Sequence, residues 1–143
     1  MEEIVRCKIV KIPLFGEDRI GYVSVAEFGS IVPFPIERVY WIYQTPADIV
    51  RGQHAHIELR QILVAISGTI NIKCEYLDGS IEEFLLDHPS KGLYVPQMVW
   101  RFINFSYQAV MICIASEKYS EMDYIRDYSK FEKLRATFMM TAH

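Results

Sequence analysis

Short apolar segments separated by turn residues run along most of this 143-residue chain, and they constrain its fold more than any other feature. The segments are rich in Val, Ile, Tyr and Phe, the residues that favour β-strands. Asp78 and Gly79 mark the clearest hairpin turn, since both residues tolerate a positive φ. Nothing helical lies between the segments, so the pattern predicts an all-β fold, an antiparallel β-barrel or jelly roll. The predicted strands cover residues 7–12, 22–28, 38–44, 56–66, 69–77, 80–86, 92–95, 99–105 and 109–115.

The spacing of the apolar residues changes only near the C-terminus, where they recur every three or four positions, as in an amphipathic helix. We predict this helix over about residues 120–138, with Ser120 as its N-cap and with a role in covering one side of the barrel. The apolar positions are Tyr124, Tyr128, Phe131, Leu134 and Phe138. The chain has no internal repeat or linker, so we expect a single domain over residues 1–143.

The charge and the cysteines argue against several classes of function. A formal net charge of −3 gives the chain no attraction to phosphate backbones, so we expect no nucleic-acid partner. Cys7, Cys74 and Cys113 are widely spaced and form no C-x-x-C motif, which is typical of buried thiols in a reducing compartment. The N-terminal residues are too charged for a signal peptide, and no stretch approaches the roughly 20 apolar residues of a membrane span. We therefore expect a cytoplasmic protein without a membrane partner.

The sequence RGQHAH at residues 51–56 places two histidines two positions apart. If residues 54–66 form one strand, His54, His56, Glu58 and Arg60 project from the same face, because side chains alternate along a strand. The continuation ILVAISG is almost entirely apolar and carries the strand into the core. The polar face is therefore expected to line the mouth of the barrel. The alternative is an exposed edge with ordinary surface histidines.

The motif H-x-H, followed by ISGT and by GLYVPQMVWRFIN at residues 92–104, resembles the paired motifs of the cupin superfamily of small β-barrels. Metal-binding cupins have a glutamate four or five residues after the second histidine, and another histidine about five residues after a proline. This chain has Arg60 and Gln61 at the first position and Arg101, five residues after Pro96, at the second. A guanidinium repels a divalent cation, and a catalytic metal site normally needs about three protein ligands. We therefore expect no bound metal.

Without a metal, the two histidines can act as acid and base, because the imidazole pKa lies near about 6.5. Arginine side chains bind carboxylates and phosphates. Four arginines lie on or near the segments placed at the mouth, namely Arg38, Arg51, Arg60 and Arg101. In an acidic protein this grouping favours an anionic substrate. The alternative for each arginine is a surface role opposite one of the 18 acidic residues.

Three further motifs resemble one particular group of cupins, the nucleotide-sugar (dTDP-sugar) 3,4-ketoisomerases. They are R-V-Y at residues 38–40, R-G-x-H-A-H at 51–56 and D-Y-I-R-D-Y at 123–128, and the similarity covers roughly residues 5–131. The resemblance implies a metal-independent enzyme without a cofactor. Its substrate would be a dTDP-linked 4-keto-6-deoxyhexose, dTDP-4-keto-6-deoxyglucose, which is converted to a 3-keto isomer for 3-amino-3,6-dideoxysugar synthesis.

The resemblance also implies roles for individual residues. His54 would be the base that removes the C3 proton, His56 the second imidazole, and Tyr40 a hydroxyl that donates to the enediolate or relays a proton. Arg51 would hold the pyrophosphate or the sugar oxygens. The remaining candidates for substrate binding are Arg38, Arg60, Gln61 and Arg101. Members of the family pair through their barrels, often exchanging the N-terminal strand, so a homodimer is expected.

Two positions that distinguish subtypes of the family leave the configuration of the product at C4 open. Arg101 resembles the subtype with a gluco-configured product, whereas Ile20 fits neither subtype. Two other functions also remain as alternatives. One is an epimerase-like cupin that acts on the same keto-sugar, and the other is a cupin that binds a nucleotide sugar without catalysis.

Overall fold

The computed structural model of the chain describes residues 3–141, which fold into two five-stranded antiparallel sheets, a small hairpin and a C-terminal helix. The first sheet is built from β1 (Lys8–Lys11), β4 (Arg38–Ile42), β6 (Gln61–Ser67), β9 (Lys91–Val95) and β11 (Val110–Ala115). Its strand order is β1-β9-β6-β11-β4, which leaves β4 at an edge.

The second sheet is built from β5 (Val50–His56), β7 (Ile70–Glu75), β8 (Ile81–Leu86), β10 (Trp100–Phe105) and β12 (Tyr124–Ile125). Its order is β12-β5-β10-β7-β8. A separate hairpin is formed by β2 (Leu14–Glu17) and β3 (Gly21–Ser24). The all-β fold predicted from the sequence is therefore confirmed, and each of the nine predicted segments contains a strand or most of one.

The main core lies between the two sheets. On β7, Ile70, Ile72 and Cys74 are fully buried and alternate with more accessible residues, which is the period-two pattern of a strand with one face in a core. Burying an aliphatic side chain of this size contributes about 1.5–3 kcal/mol to folding. The same core takes Leu63 from β6 and Met111 from β11, so both sheets share it.

A second apolar cluster covers the outer face of the first sheet. Val32 and Phe34, in the segment between β3 and β4, have no exposed surface and pack against Ile62 and Val64 of β6. Strand β6 therefore buries both of its faces, because Leu63 on the opposite face belongs to the core between the sheets. This double burial explains the uninterrupted apolar sequence of β6.

The C-terminal helix, α1 (Tyr128–Thr141), is shorter at its start than predicted. Residues Glu121–Asp123 form a 3₁₀ turn and are followed by β12, so the prediction of a helix from residue 120 is wrong. Asp127, rather than Ser120, is the N-cap of α1, because its carboxylate accepts a hydrogen bond from the Ser129 backbone N–H at 2.9 Å. The apolar spacing misled the prediction because Tyr124 fits the helical period although it lies in a strand.

The helix packs on the outer face of the second sheet. Phe131 has no exposed surface and joins Trp100 of β10 and Ala55 of β5 in a third apolar cluster. The helix is also held by a buried carboxylate, since Glu75 accepts a hydrogen bond from the Tyr128 hydroxyl at 2.8 Å and forms an ion pair with Arg135.

The single strand predicted for residues 54–66 is two strands in different sheets. Strand β5 ends at His56, and β6 begins at Gln61. The intervening residues 57–60 carry the chain from the second sheet to the first. Because of this break, His54 and Arg60 do not share a strand face, and that prediction is wrong.

The cysteines and the helix also bear on two predictions from the sequence. Cys7, Cys74 and Cys113 are buried free thiols, as predicted. Within residues 3–141, no helix combines the length and the apolar character that crossing a membrane requires.

Candidate active site

A cavity of about 320 Å³ opens between the two sheets at the ends of β4, β5 and β10. Its lining includes six of the eight site residues predicted from the sequence: Arg38, Tyr40, Arg51, His54, Gln61 and Arg101. Of the other two, His56 is buried in the wall beside His54, and Arg60 lies elsewhere.

An irregularity in β5 places Arg51 and His54 on the same side. Their odd spacing would put them on opposite faces of a regular strand. However, Arg101 of β10 pairs with His54, and Ile103 pairs with Arg51, so β5 has one residue more than its partner across this stretch. Gly52 provides the necessary backbone, with φ of +71° and with Ile103 Cδ1 only 2.8 Å from where a Cβ would be. The glycine of the RGQHAH motif thus directs two site residues into one cavity.

A chain of hydrogen bonds connects three predicted site residues to His54. The Arg101 Nη2 lies 3.1 Å from His54 Nε2, and Nη1 of the same guanidinium donates to the Gln61 side-chain oxygen. The Gln61 amide in turn donates to the Tyr40 hydroxyl at 2.7 Å. Because a guanidinium is only a donor, the Nε2 of His54 must be an acceptor in this contact.

The surroundings of His54 keep its imidazole neutral. Burial and then the positive charge of Arg101 lower the pKa of His54 to about 3. At neutral pH the ring is therefore neutral, and Nε2, the nitrogen that faces Arg101, carries the lone pair that a general base requires.

The Tyr40 hydroxyl stays protonated at neutral pH. Burial is the main cause that raises the pKa of Tyr40 above its ordinary value, and the neighbouring Cys113 thiol adds to it. The pKa of Cys113 is itself raised to about 12 by burial. The phenol is thus a neutral hydroxyl that can donate a hydrogen bond to a developing oxyanion.

His56 lies deeper in the wall than His54. Its side chain is 2% exposed, its ring centroid is 4.8 Å from that of His54, and its Nδ1 is 3.1 Å from the Asp123 carboxylate. Burial, followed by the charge of Arg101, lowers the pKa of His56 below its ordinary value. Both imidazoles are therefore neutral at neutral pH.

Arg38 adds a further positive charge to the lining of the cavity. Its guanidinium lies over the rings of Tyr40 and Tyr119, at 5.1 Å and 5.5 Å from the ring centroids. Its Nε and Nη2 are buried and have no hydrogen-bond partner among the described residues. These N–H groups are suitable donors for an anionic ligand, since buried polar groups are normally hydrogen-bonded.

Residues 119–126, which we call the wall segment, complete the cavity, whereas the sequence predicted residues from 120 onward only as part of a helix that covers the barrel. Tyr119, Tyr124 and Arg126 line the cavity. The Tyr124 ring packs against the rings of both histidines, with centroid distances of 4.9 Å to His54 and 4.3 Å to His56. The only signal in the sequence was the D-Y-I-R-D-Y motif, which indicated the family without indicating what its residues contact.

Arg60 does not reach this cavity. It lines a separate surface depression together with Glu37 and Glu58, and its guanidinium lies 5.3 Å from the centroid of the Phe34 ring. Arg60 is therefore not among the residues that line the cavity with His54, where the sequence placed it.

The side chains that line the cavity do not form the ligand set of a metal centre. Across residues 3–141, the side chains of histidine, cysteine, aspartate and glutamate do not gather in threes with metal-binding geometry. The slots that hold ligands in metal-binding cupins contain Arg101 and Gln61, which here bind each other.

Comparison with known proteins identifies the family. A family model described as FdtA, WxcM-like, C-terminal, matches residues 5–136. A TDP-4-oxo-6-deoxy-alpha-D-glucose-3,4-oxoisomerase from Aneurinibacillus thermoaerophilus is 40% identical over 128 residues, which cover 88% of this chain and 90% of the relative.

Solved structures of similar enzymes have the same fold. The WlaRB TDP-quinovose 3,4-ketoisomerase from Campylobacter jejuni is 37% identical, with a TM-score of 0.83 over 91% of this chain and 99% of the other. A mutant of the 3,4-ketoisomerase QdtA from Thermoanaerobacterium thermosaccharolyticum, in complex with TDP-4-keto-6-deoxyglucose, is 31% identical, with a TM-score of 0.87 over 94% and 97% of the two chains. The chain therefore belongs to the FdtA family and is a sugar 3,4-ketoisomerase with a cupin fold.

Proposed function

We propose that this enzyme converts TDP-4-keto-6-deoxyglucose into its 3-keto isomer by proton transfer through an enediolate. The observation that carries the proposal is a neutral imidazole, His54, in a cavity whose other polar groups are guanidinium, amide and phenol. The names of the relatives support the substrate, since the relative from A. thermoaerophilus is a TDP-4-oxo-6-deoxy-glucose 3,4-oxoisomerase and the QdtA mutant is in complex with TDP-4-keto-6-deoxyglucose.

In the proposed reaction, Arg101 exchanges its contact with His54 Nε2 for the C4 oxygen of the sugar, and the freed Nε2 removes the proton from C3. The electron pair of the broken C–H bond forms the C3–C4 double bond, and the C4 carbonyl oxygen becomes an enediolate oxygen. Arg101, which contacts His54, and the Tyr40 hydroxyl stabilise this negative charge. Loss of the C3 hydroxyl proton and protonation at C4 then produce the 3-keto sugar, and His56 is the second imidazole available for these transfers.

We assign the diphosphate of the substrate to the arginines nearest the opening. Both Arg51 and Arg38 line the cavity; Arg51 is exposed, and Arg38 has buried N–H groups without a partner among the described residues. Arg126 also lines the cavity but is paired with Glu121 at 2.5 Å, so it is less available to an anion. Guanidinium groups bind phosphate oxygens bidentately, which suits this role.

We also propose that the enzyme works as a homodimer in the cytoplasm. The outer face of the edge strand β4 and its continuation exposes large apolar side chains, Val39, Trp41 and Tyr43, which are 49%, 60% and 58% exposed. A second copy of the chain would cover such a patch. The three buried free thiols support a reducing compartment. Light scattering in solution should give the mass of a dimer, and Trp41→Arg should shift it towards the monomer.

Incubation with TDP-4-keto-6-deoxyglucose in deuterated water distinguishes the proposed reaction from its alternatives. A 3,4-ketoisomerase produces a 3-keto sugar with deuterium at C4, which NMR detects directly. An epimerase would label C5 instead, and a protein that only binds the sugar would label no position above the background. Either of the last two outcomes would contradict the proposal.

Replacing the proposed base tests the role of His54. We expect His54→Asn to lower kcat by about 10²–10⁴-fold, since a positioned general base contributes that much. His88→Asn is the matched control, because His88 is an exposed histidine in the turn before β9. A loss of less than fivefold in His54→Asn would argue that another group is the base.

A further inference from the structure

We infer that Asp123 is a positioning residue of this active site, which fixes His56 as the tautomer with its proton on Nδ1 and a free lone pair on Nε2. This inference rests on the proposed function for its catalytic consequence, but the tautomer itself can be measured without substrate. Asp123 lies at the end of the 3₁₀ turn in the wall segment, 67 residues from His56 in the sequence.

The carboxylate of Asp123 is held in place on both of its oxygens. Oδ1 accepts the backbone N–H of Glu58 at 2.6 Å, and Oδ2 accepts that of Leu59 at 3.3 Å. Oδ2 also lies 3.1 Å from His56 Nδ1. The Asp123 side chain is only 12% exposed, so this contact is largely shielded from water. The aspartate therefore connects the segment between the two sheets to the catalytic wall.

The backbone of His56 is equally well fixed. Its carbonyl accepts the N–H of Met98 at 2.8 Å, and Tyr124 is its antiparallel partner in β12. The His54 and Tyr124 rings enclose the imidazole. The ring can therefore not turn freely to exchange the positions of its two nitrogens.

These contacts determine the protonation of the ring. An ionised carboxylate only accepts hydrogen bonds, so the nitrogen that faces Asp123 must carry the proton. In a neutral imidazole the other nitrogen, Nε2, then has a lone pair. After burial, the positive charges of Arg101, Arg38 and Arg126 are among the causes that lower the pKa of His56. They favour the neutral ring, in agreement with this tautomer.

The Nε2 of His56 is buried and has no hydrogen-bond partner among the described residues. Five buried side-chain atoms lack a hydrogen-bond partner, and the other four are N–H groups of arginine or tryptophan. His56 Nε2 is thus the one unpartnered acceptor in this set. A buried acceptor without a partner is destabilising, which fits a group retained for proton transfer.

The tautomer suits the second proton transfer of the reaction. One proton leaves C3 and one leaves the C3 hydroxyl, while C4 and the C4 oxygen each gain one. If His54 carries the first proton to the C4 oxygen, and if the bound sugar displaces the groups that cover the buried Nε2 of His56, that nitrogen can carry the hydroxyl proton to C4, and both rings return to the neutral state. Asp123 would stabilise the transient imidazolium at His56, as a carboxylate does for the histidine of a catalytic triad.

The substitution Asp123→Asn tests the inference. The asparagine oxygen can still accept the Glu58 N–H. Its amide group, in the place of Oδ2, can no longer accept the Leu59 N–H and would donate to His56 Nδ1, which forces the proton to Nε2. We expect kcat to fall by about 10²–10⁴-fold, as for a histidine in the wrong tautomer. KM should change by less than about threefold. Asp127→Asn is the matched control, because it makes the same chemical change at the helix N-cap, where asparagine is as suitable as aspartate.

A long-range ¹H–¹⁵N NMR spectrum of the imidazoles shows which nitrogen of each ring carries the proton. A purely structural role of Asp123 would leave this protonation pattern unchanged. In the unsubstituted enzyme at pH 7.5, His56 should show a protonated Nδ1 and a bare Nε2, and Asp123→Asn should reverse this. The chain has four histidines, and the signals of His54, His56 and His88 are assigned by replacing each of these three with asparagine in turn. A protonated Nε2 in the unsubstituted enzyme, or unchanged kcat in Asp123→Asn, would overturn the inference. If instead the unsubstituted enzyme fails to isomerise the sugar, the proposed function fails, and the spectrum still decides the tautomer.

Discussion

Replacement of Gly52 by alanine should disturb both the stability and the activity of the enzyme, because two separate constraints meet at this residue. The backbone of Gly52 has φ of +71°, in the left-handed region. An L-residue with a side chain costs about 1–2 kcal/mol in that conformation. The new Cβ would also lie 2.8 Å from Ile103 Cδ1, well inside the ordinary carbon–carbon contact of about 3.5–4.0 Å.

The second constraint adds to the first because Ile103 is 4% exposed and has little room to move. Forcing an extra carbon into a packed core costs typically about 1–3 kcal/mol. The two effects together predict that Gly52→Ala lowers the free energy of unfolding by about 2–5 kcal/mol. Since Arg51 and His54 flank the irregular stretch of β5, we also expect kcat/KM to fall by about 10–100-fold, as for a displacement of order 1 Å in a catalytic group.

Gly79→Ala is the matched control for this experiment. Gly79 has a similar φ of +83°, but the atom nearest to the position that a Cβ would take, Arg135 Cδ, is 3.9 Å away. This variant therefore isolates the backbone effect, with an expected loss of about 1–2 kcal/mol and unchanged kcat/KM. Urea denaturation followed by circular dichroism measures the stability of both variants. Equal losses of stability, together with wild-type activity for Gly52→Ala, would refute the reasoning.

Three further predictions follow from the surroundings of the site and from the helix contacts. Because the pKa of His54 is about 3 in the folded enzyme and about 6.5 in the unfolded chain, and that of His56 is also lowered, the unfolded state binds more protons below pH 6.5. The free energy of unfolding should therefore fall by about 2–4 kcal/mol between pH 7.5 and pH 5, and a flat profile in urea titrations would contradict this. Tyr128→Phe removes the hydroxyl that donates to the buried Glu75 carboxylate, and it should lower the free energy of unfolding by about 1–2 kcal/mol without changing kcat. Treatment with EDTA should leave kcat unchanged, whereas a loss of activity that zinc or iron reverses would contradict the prediction that the site needs no metal.

Much of the fold could be predicted because burial leaves a direct trace in the sequence. The alternation of Ile70, Ile72 and Cys74 with polar residues defined β7, and the apolar run after residue 61 defined β6. The alternation of polar and apolar residues through HIELRQ continues across the break between β5 and β6, so the pattern could not reveal that the two strands belong to different sheets. Pattern alone also could not distinguish Tyr124 in a strand from a residue of the following helix.

The active site could be predicted where its residues lie close together in sequence or belong to a known motif. His54, Tyr40 and Arg101 line the cavity as expected. The period-two rule failed for Arg51 relative to His54, because the extra residue at Gly52 changes the register. Asp123 could not be placed, since its relation to His56 depends on a contact between distant parts of the chain.

The wall segment lies near the C-terminal end of the sequence, so it is synthesised after most of the barrel. Translation delivers residues 119–126 only after every strand of β1 to β11 has been synthesised. A nascent chain that stops before Tyr119 would contain both histidines and most of the barrel, but no Asp123 and no Tyr124 to enclose them. The growing chain therefore becomes a competent catalyst only after both sheets are nearly complete. Nonsense mutations just upstream of the Tyr119 codon should abolish catalysis even where the truncated barrel survives in the cell.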